Sequence, residues 1–291
     1  MKAKMATGYT VLCLLAGCGW VVDQALPGLF QGLLRTAVHD GVLAVVFLLV
    51  GRVRVESQQR TTAFWCRLGC GFGLLLALPQ IVIAGAGGHV SQFSVALLFL
   101  LVPMVVIVVV AQQSAGFGPE TNPLEVMFPA LLGIGGAALV IPFDTPASIS
   151  GKLWLLALTG VVILSGVIAV WLHRTLAGVP VFRTGAIAMA AACLVATPFS
   201  LLGGPPAVVW SASAIAGEAV RCFAIDLPVV LLTVWLLREM RPVAFSARAL
   251  LIPLVSVAAG LILLRPEVPW TTPAGMLLMG IGAWRLLASG L

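Results

Sequence analysis

Charge is what this chain has least of. Asp, Glu, Lys and Arg make up 9% of its 291 residues, and no polar stretch runs beyond about a dozen positions, so no soluble domain fits within it. A Gly-rich phosphate-cradling loop is missing, which removes support for direct ATP drive. No run of Lys and Arg interleaved with aromatics marks a nucleic-acid surface, so the net charge of +6 reads as topology. The six cysteines (Cys13, Cys18, Cys66, Cys70, Cys193 and Cys222) all fall in or at the ends of apolar runs. Cys66 and Cys70 stand one helical turn apart, yet no His or carboxylate is spaced to complete a metal site, so these read as thiols buried in a membrane. Neither a metal, a cofactor nor a catalytic constellation is implied.

What fills the chain is apolar length. Hydrophobic residues make up 61% of it, in continuous runs long enough to cross a bilayer and without the short alternation of a β-barrel. This predicts an all-α integral membrane protein with ten transmembrane helices, near 7–26, 33–51, 63–84, 92–111, 124–142, 151–172, 182–202, 211–237, 246–265 and 271–288. Leu15-Ala16-Gly17-Cys18 imitates a lipoprotein cleavage site. The chain runs on into further spans rather than a soluble domain, which favours an uncleaved first helix. Basic residues set the orientation. With the N-terminus inside, twelve of the sixteen Lys and Arg fall at the cytoplasmic side, only Arg35, Lys152 and Arg265 fall opposite, and Arg221 lies within a span. Both termini are then cytoplasmic, and the expected location is a bacterial inner membrane, crossed many times.

The chain also repeats itself. Leu131-Leu132-Gly133-Ile134-Gly135-Gly136 returns as Leu278-Met279-Gly280-Ile281-Gly282, and Pro119-Glu120 and Pro266-Glu267 precede these at the same offset of 147 residues. Upstream, Pro103 and Pro253 sit in similar apolar runs 150 residues apart, approached by Phe93-Ser94 and Phe245-Ser246. The longer loop 112–118 of the first copy absorbs the slip. With the boundary in the connection 144–150, residues 1–146 and 147–291 form two halves of five spans each. An odd number of spans makes the second half inverted, a mark of secondary transporters.

The closing hairpin Leu250–Leu287, the opening hairpin from Gly17-Cys18-Gly19-Trp20 through Leu26-Pro27 to Leu34-Arg35, and the passages Ala84–Pro103 and Trp235–Pro253 resemble those of EamA-like ten-helix transporters of the drug/metabolite transporter superfamily. The resemblance implies two inverted five-helix repeats around a central cavity, alternating access, and fifth and tenth helices that brace the bundle. The longer polar loop before Pro119 and the extra polar residues Asp23, His39 and Asp40 depart from that pattern and leave the substrate open.

Within the apolar background a few polar residues stand out. Glu218, Arg221 and Asp226 share the eighth span, followed by Pro228, with Trp210 and Trp235 as expected interfacial anchors at its ends. Each charge near mid-membrane costs ~2.5–3.5 kcal/mol on insertion scales, so none should face lipid. Glu218 and Arg221 share a helical face and can pair, as a binding element or as a structural ion pair. Asp226 is rotated away from Arg221 and must find a partner elsewhere or stay protonated, a candidate proton-coupling group. Pro228 leaves the Ala224 carbonyl without its donor. Trp20 offers either a stacking face to a substrate or an interfacial anchor, and Gln80, after Pro79, either lines the cavity or bonds across helices. Asp23, Arg35, His39 and Asp40, at the outer ends of the first two helices, read as a gate or solvated rim, with Arg35 and His39 reaching Asp23 or Asp40. His173 is a further candidate proton-linked group, Glu120 and Glu267 belong to loops, and the glycine sets allow close helix packing.

The reading these observations favour is a secondary transporter that exports a small organic metabolite or drug-like solute across the bilayer, with proton coupling or exchange as the drive. No enzymatic activity and no nucleic-acid partner are expected, and a homodimer stays open. The alternatives are an integral membrane enzyme, which would need acids and a nucleophile clustered on one face, and a lipid-flipping accessory subunit.

Overall fold

The structure, a computed structural model, describes residues 2–52, 60–113, 123–202, 208 and 210–288. Among the described residues the chain is all-α: α1 Lys2–Ala25, α2 Gly32–Arg52, α3 Thr62–Ala86, α4 Gln92–Gln112, α5 Pro123–Val140, α6 Ile149–Thr175, α7 Val181–Leu202, α8 Ala212–Glu239, α9 Pro242–Leu264 and α10 Thr271–Ala288. Eight of the ten are long and apolar enough to cross a bilayer. The exceptions are α5, whose apolar part Glu125–Val140 is shorter, and α10. A multi-pass membrane protein follows from this set.

Helix starts are written in the sequence. Thr61, Ser91, Ser148 and Ser211 each accept, on the side-chain oxygen, a hydrogen bond from the backbone N–H three residues on, at 3.0–3.3 Å. These caps satisfy one orphan donor at the start of α3, α4, α6 and α8. Ser94 does more: its hydroxyl donates to the Asp144 carbonyl (2.9 Å) and accepts from the Asp144 N–H (3.0 Å), tying α4 to the α5–α6 connection.

Two helices are broken in the same way. In α3 the turn Gly73–Ala77 is a π-turn, with the Leu78 N–H bonded to the Gly73 carbonyl, and Pro79 follows. In α8 the π-turn is Arg221–Asp226, with the Leu227 N–H bonded to the Cys222 carbonyl, and Pro228 follows. A proline ring clashes with the carbonyl four residues back and has no N–H to give it. Widening the preceding turn to an i→i−5 pattern moves that carbonyl aside and keeps its neighbours bonded.

The helices pair most extensively as α2 with α7, α5 with α10 and α3 with α7, followed by α3 with α6, α4 with α6 and α1 with α9. The α5–α10 contact is backbone on backbone. A Cβ on Gly136 would lie 2.6 Å from the Gly275 carbonyl oxygen, and one on Gly282 would lie 2.5 Å from that of Pro129. The glycine sets expected to pack do so only in part: Gly133, Gly136 and Gly282 face neighbours, whereas nothing lies within 4 Å of a Cβ on Gly135. Small residues at such a seam bring helices close enough for dispersion to hold them where lipid gives no hydrophobic drive. The main core, with Phe47, Phe72, Leu12 and Leu172 almost fully enclosed, fills the space between the pairs.

Cys66 and Cys70 lie on the outer surface of α3. Trp235 packs against α1 at Gly8, while Trp210 is exposed. Arg248 opens the long segment of α9, its guanidinium stacked 4.0 Å over the Phe245 ring. Glu120 lies outside the described residues.

Candidate functional site

The site is assembled where α8 meets the α1–α2 hairpin. Gly217 permits the meeting, since a Cβ there would lie 2.4 Å from the Pro27 carbonyl oxygen. With the loop pressed against α8, Arg221 reaches the carbonyls that end α1. Nη1 donates to Pro27 (3.1 Å), and Nη2 donates to Asp23 (3.3 Å) and to Leu26. These carbonyls have no partner within their own helix, and a cation beside them also opposes the helix dipole. Glu218 does the converse at the approach to α2. Its Oε1 accepts from the backbone N–H groups of Leu29 (2.9 Å) and Phe30 (3.3 Å). Glu218 and Arg221 also face each other at 3.6 Å, the i,i+3 pair read from their spacing. Both are buried.

The other Glu218 oxygen meets His39. His39 Nε2 lies 2.8 Å from Glu218 Oε2, and Nδ1 lies 2.6 Å from Asp226 Oδ2. One imidazole thus bridges two carboxylates of α8. This supplies the partner that Asp226 lacked in the sequence, and it moves His39 from an expected rim to the centre of the network. His39 is the eighth residue of α2 and is buried. Two turns of depth separate it from a helix end.

The π-turn makes the bridge geometrically possible. In a regular α-helix, residues eight apart differ by about 80° in direction. A π-turn absorbs one extra residue, so the offset between Glu218 and Asp226 falls to about 20°. Both carboxylates then point from one face of α8 toward α2.

Asp23 ties the outer side of the network together. Its Oδ1 pairs with Arg35 at 2.9 Å, as the hairpin suggested, and lies 3.0 Å from Arg221 Nε. That second contact is electrostatic: the Nε–H is not aligned into a hydrogen bond. Asp40 and Gln80 line the same cavity, of about 270 Å³, together with Gly19, Val22, Thr36 and Leu43 and the α8 residues Ile225, Asp226, Val229 and Val230. Trp20 is half-buried and is not among the lining residues. Of the other sequence candidates, His173 Nδ1 lies 2.8 Å from the Leu237 carbonyl and fastens α6 to α8, and Glu267 is exposed beyond α9.

The polar groups brought together are thus Asp23, Arg35, His39 and Asp40 from the hairpin, Gln80 from α3, and Glu218, Arg221 and Asp226 from α8. The α1–α2 loop carbonyls and N–H groups join them. They carry no side-chain signature, and only the neighbouring Pro27-Gly28 hints at a loop that turns back.

Against known proteins the chain is alike in shape and remote in sequence. No protein-family model matches it, and no curated protein matches it. A solved crystal structure of a protein matches 99% of this chain and 98% of its own, with a TM-score of 0.76 at 15% sequence identity. The likeness carries the fold. It runs over nearly the whole of both chains.

Proposed function

We propose that the chain is a secondary transporter of a small organic solute, an exporter of the EamA-like ten-helix type in the drug/metabolite transporter superfamily. The observation that carries the reading is the cavity at the π-turn of α8. It is flanked by a buried His–carboxylate bridge near the middle of a 28-residue membrane-spanning helix. Charged groups at that depth are costly and belong to solute or proton pathways by default. Interrupted helices are where transporters place their solute and ion sites.

The proposed two inverted halves draw support from the breaks and the pairings. The π-turn and following Leu-Pro of α3 recur in α8, with Pro79 and Pro228 149 residues apart, inside the 147–150 offset of the sequence repeat. Exchanging the halves maps α2–α7 and α5–α10 onto themselves, and α1–α9 onto α4–α6, while the broad α3–α7 contact has only a slight counterpart in α2–α8. An approximate two-fold relation between halves would produce the shared part of this pattern. Outward direction, an inner-membrane location and cytoplasmic termini come with the family resemblance and the basic-residue bias.

The test is flux. Purified protein in liposomes is expected to exchange a preloaded labelled solute from a metabolite panel, and Asp226→Asn is expected to lower that exchange at least about tenfold, the loss typical of a missing proton-transfer group. No protein-dependent flux for any of the panel would leave the enzyme and accessory-subunit readings standing instead.

A further inference from the structure

Helices α3 and α6 lie side by side and run in opposite directions. Their register is set by close contacts at three levels. Arg60 Nη2, just before α3, donates to the Ala177 carbonyl just after α6 (3.4 Å). A Cβ on Gly71 would lie 2.6 Å from the Trp171 ring, and one on Gly85 would lie 2.5 Å from that of Trp154. Arg67 stands one turn before Gly71 on α3, and Arg174 one turn after Trp171 on α6. With the helices antiparallel, both steps lead toward the end that carries the α6–α7 turn. The two arginines therefore flank the seam at one level.

Each of them tops a stripe that faces outward. Beyond Arg67 the exposed residues of α3 are Cys70 and Leu74, and beyond Arg174 those of α6 are Trp171, Val167 and Ile163. Spacings of three and four keep each set on one helical face. Trp171 sits between the charged level and the apolar one, where an indole suits the headgroup boundary.

Both guanidiniums are exposed, and neither has a hydrogen bond or ion pair among the described residues. Several arginines at the same end are already occupied. Arg60, Arg183 and Arg248 sit over the rings of Phe64, Trp65 and Phe245, and Arg238 is held by Glu239 and the Val179 carbonyl. No carboxylate comes from the surrounding helices, since α3, α6 and α7 contain neither Asp nor Glu. The seam thus offers two unspent N–H forks above an apolar surface.

We propose that the α3–α6 seam binds one anionic phospholipid of the adjoining leaflet, its phosphodiester between Arg67 and Arg174 and an acyl chain along Leu74, Val167 and Ile163. Arginine forks meet phosphate oxygens with paired donors, and basic pockets between membrane helices take anionic headgroups. A zwitterionic lipid brings the same phosphate with an ammonium that the arginines repel, so the seam prefers the anionic one. A free phosphate would use the forks and leave the stripes without an occupant, whereas a lipid fills both. The site is separate from the cavity at α8 and stands or falls apart from the transport reading.

The test places purified protein in phosphatidylcholine nanodiscs with a minor share of phosphatidylglycerol, one lipid or the other carrying brominated acyl chains. At equal fractions, brominated phosphatidylglycerol is expected to quench tryptophan fluorescence more than brominated phosphatidylcholine, and Trp171→Phe is expected to remove the difference. Two arginines beside the headgroup should favour phosphatidylglycerol about thirtyfold at low salt. Arg67→Gln combined with Arg174→Gln should bring the two lipids to within about twofold of each other. Arg241→Gln combined with Arg285→Gln removes equal charge from exposed positions at the same end and should keep most of the preference. Equal quenching by the two lipids, an excess that survives Trp171→Phe, or an equal loss in both double variants would each overturn the inference, the first without any variant. Soluble glycerol phosphate that abolishes the excess at a matching phosphate concentration would assign the forks to a free anion and overturn it as well.

Discussion

Arg221 shows how much structure one side chain holds in this bundle. Its guanidinium caps three carbonyls at the end of α1, at Asp23, Leu26 and Pro27, and touches the carboxylates of Asp23 and Glu218. An Arg221→Met variant keeps most of the apolar stem but strips those carbonyls and leaves Glu218 without its nearest guanidinium. Interhelical hydrogen bonds within membranes average ~0.6 kcal/mol and reach ~1.7, so the loss should be about 2–4 kcal/mol. Thermal unfolding in detergent reads this as a lowered midpoint. An unchanged midpoint would mean that the loop is held by packing alone. Some of this residue-scale detail was legible beforehand. Glu218 and Arg221 pair because i,i+3 spacing is local, and Asp23 with Arg35 because a short hairpin leaves few choices. The Asp226–His39 contact spans 187 residues and depends on how α2 is rotated against α8, which no spacing rule reports.

At the scale of the element, the π-turn of α8 decides the chemistry. The sequence signals a break at Pro228 and a carbonyl left free at Ala224, and to that extent the weakness was readable. The direction of the repair was not. Whether a helix kinks, frays or widens its turn before a proline depends on what its neighbours accept, and here α8 widens with Asp226 directed at α2. The helix spans themselves lay close to their expected limits, because bilayer-length apolar runs with Ser and Thr caps leave little freedom. A Pro228→Ala substitution restores the missing N–H and lets α8 close into a regular helix. Asp226 would then swing by about 100° and lose His39. Thermal stability is expected to hold or rise, as it does when an interior helix proline is replaced, while solute exchange falls at least about tenfold, as for the loss of a proton-transfer group. Both are measured on the same preparation, and full exchange in a more stable variant would show that the π-turn is incidental to the site.

For the whole molecule the open question is how the two halves lie relative to the membrane. Several helix pairs map onto one another when the halves are exchanged, although the broad α3–α7 contact does not, and five spans per half would set the second upside down with respect to the first. That arrangement places the acidic cavity toward the outer face, since α1 ends and α2 begins there. It also explains why basic residues gather at the opposite ends of the helices. Single cysteines in a background without the six native ones test it directly: Ala3→Cys before the first crossing, Thr145→Cys between the halves, and Ala177→Cys between α6 and α7. In intact cells a membrane-impermeant maleimide is expected to label Thr145→Cys alone, and the other two only after the cells are opened. Labelling of Ala3→Cys and Thr145→Cys from the same side would require an even number of crossings between them. The two halves would then lie parallel, related by an axis along the membrane normal if at all, and a cavity alternately open to both sides would need another construction.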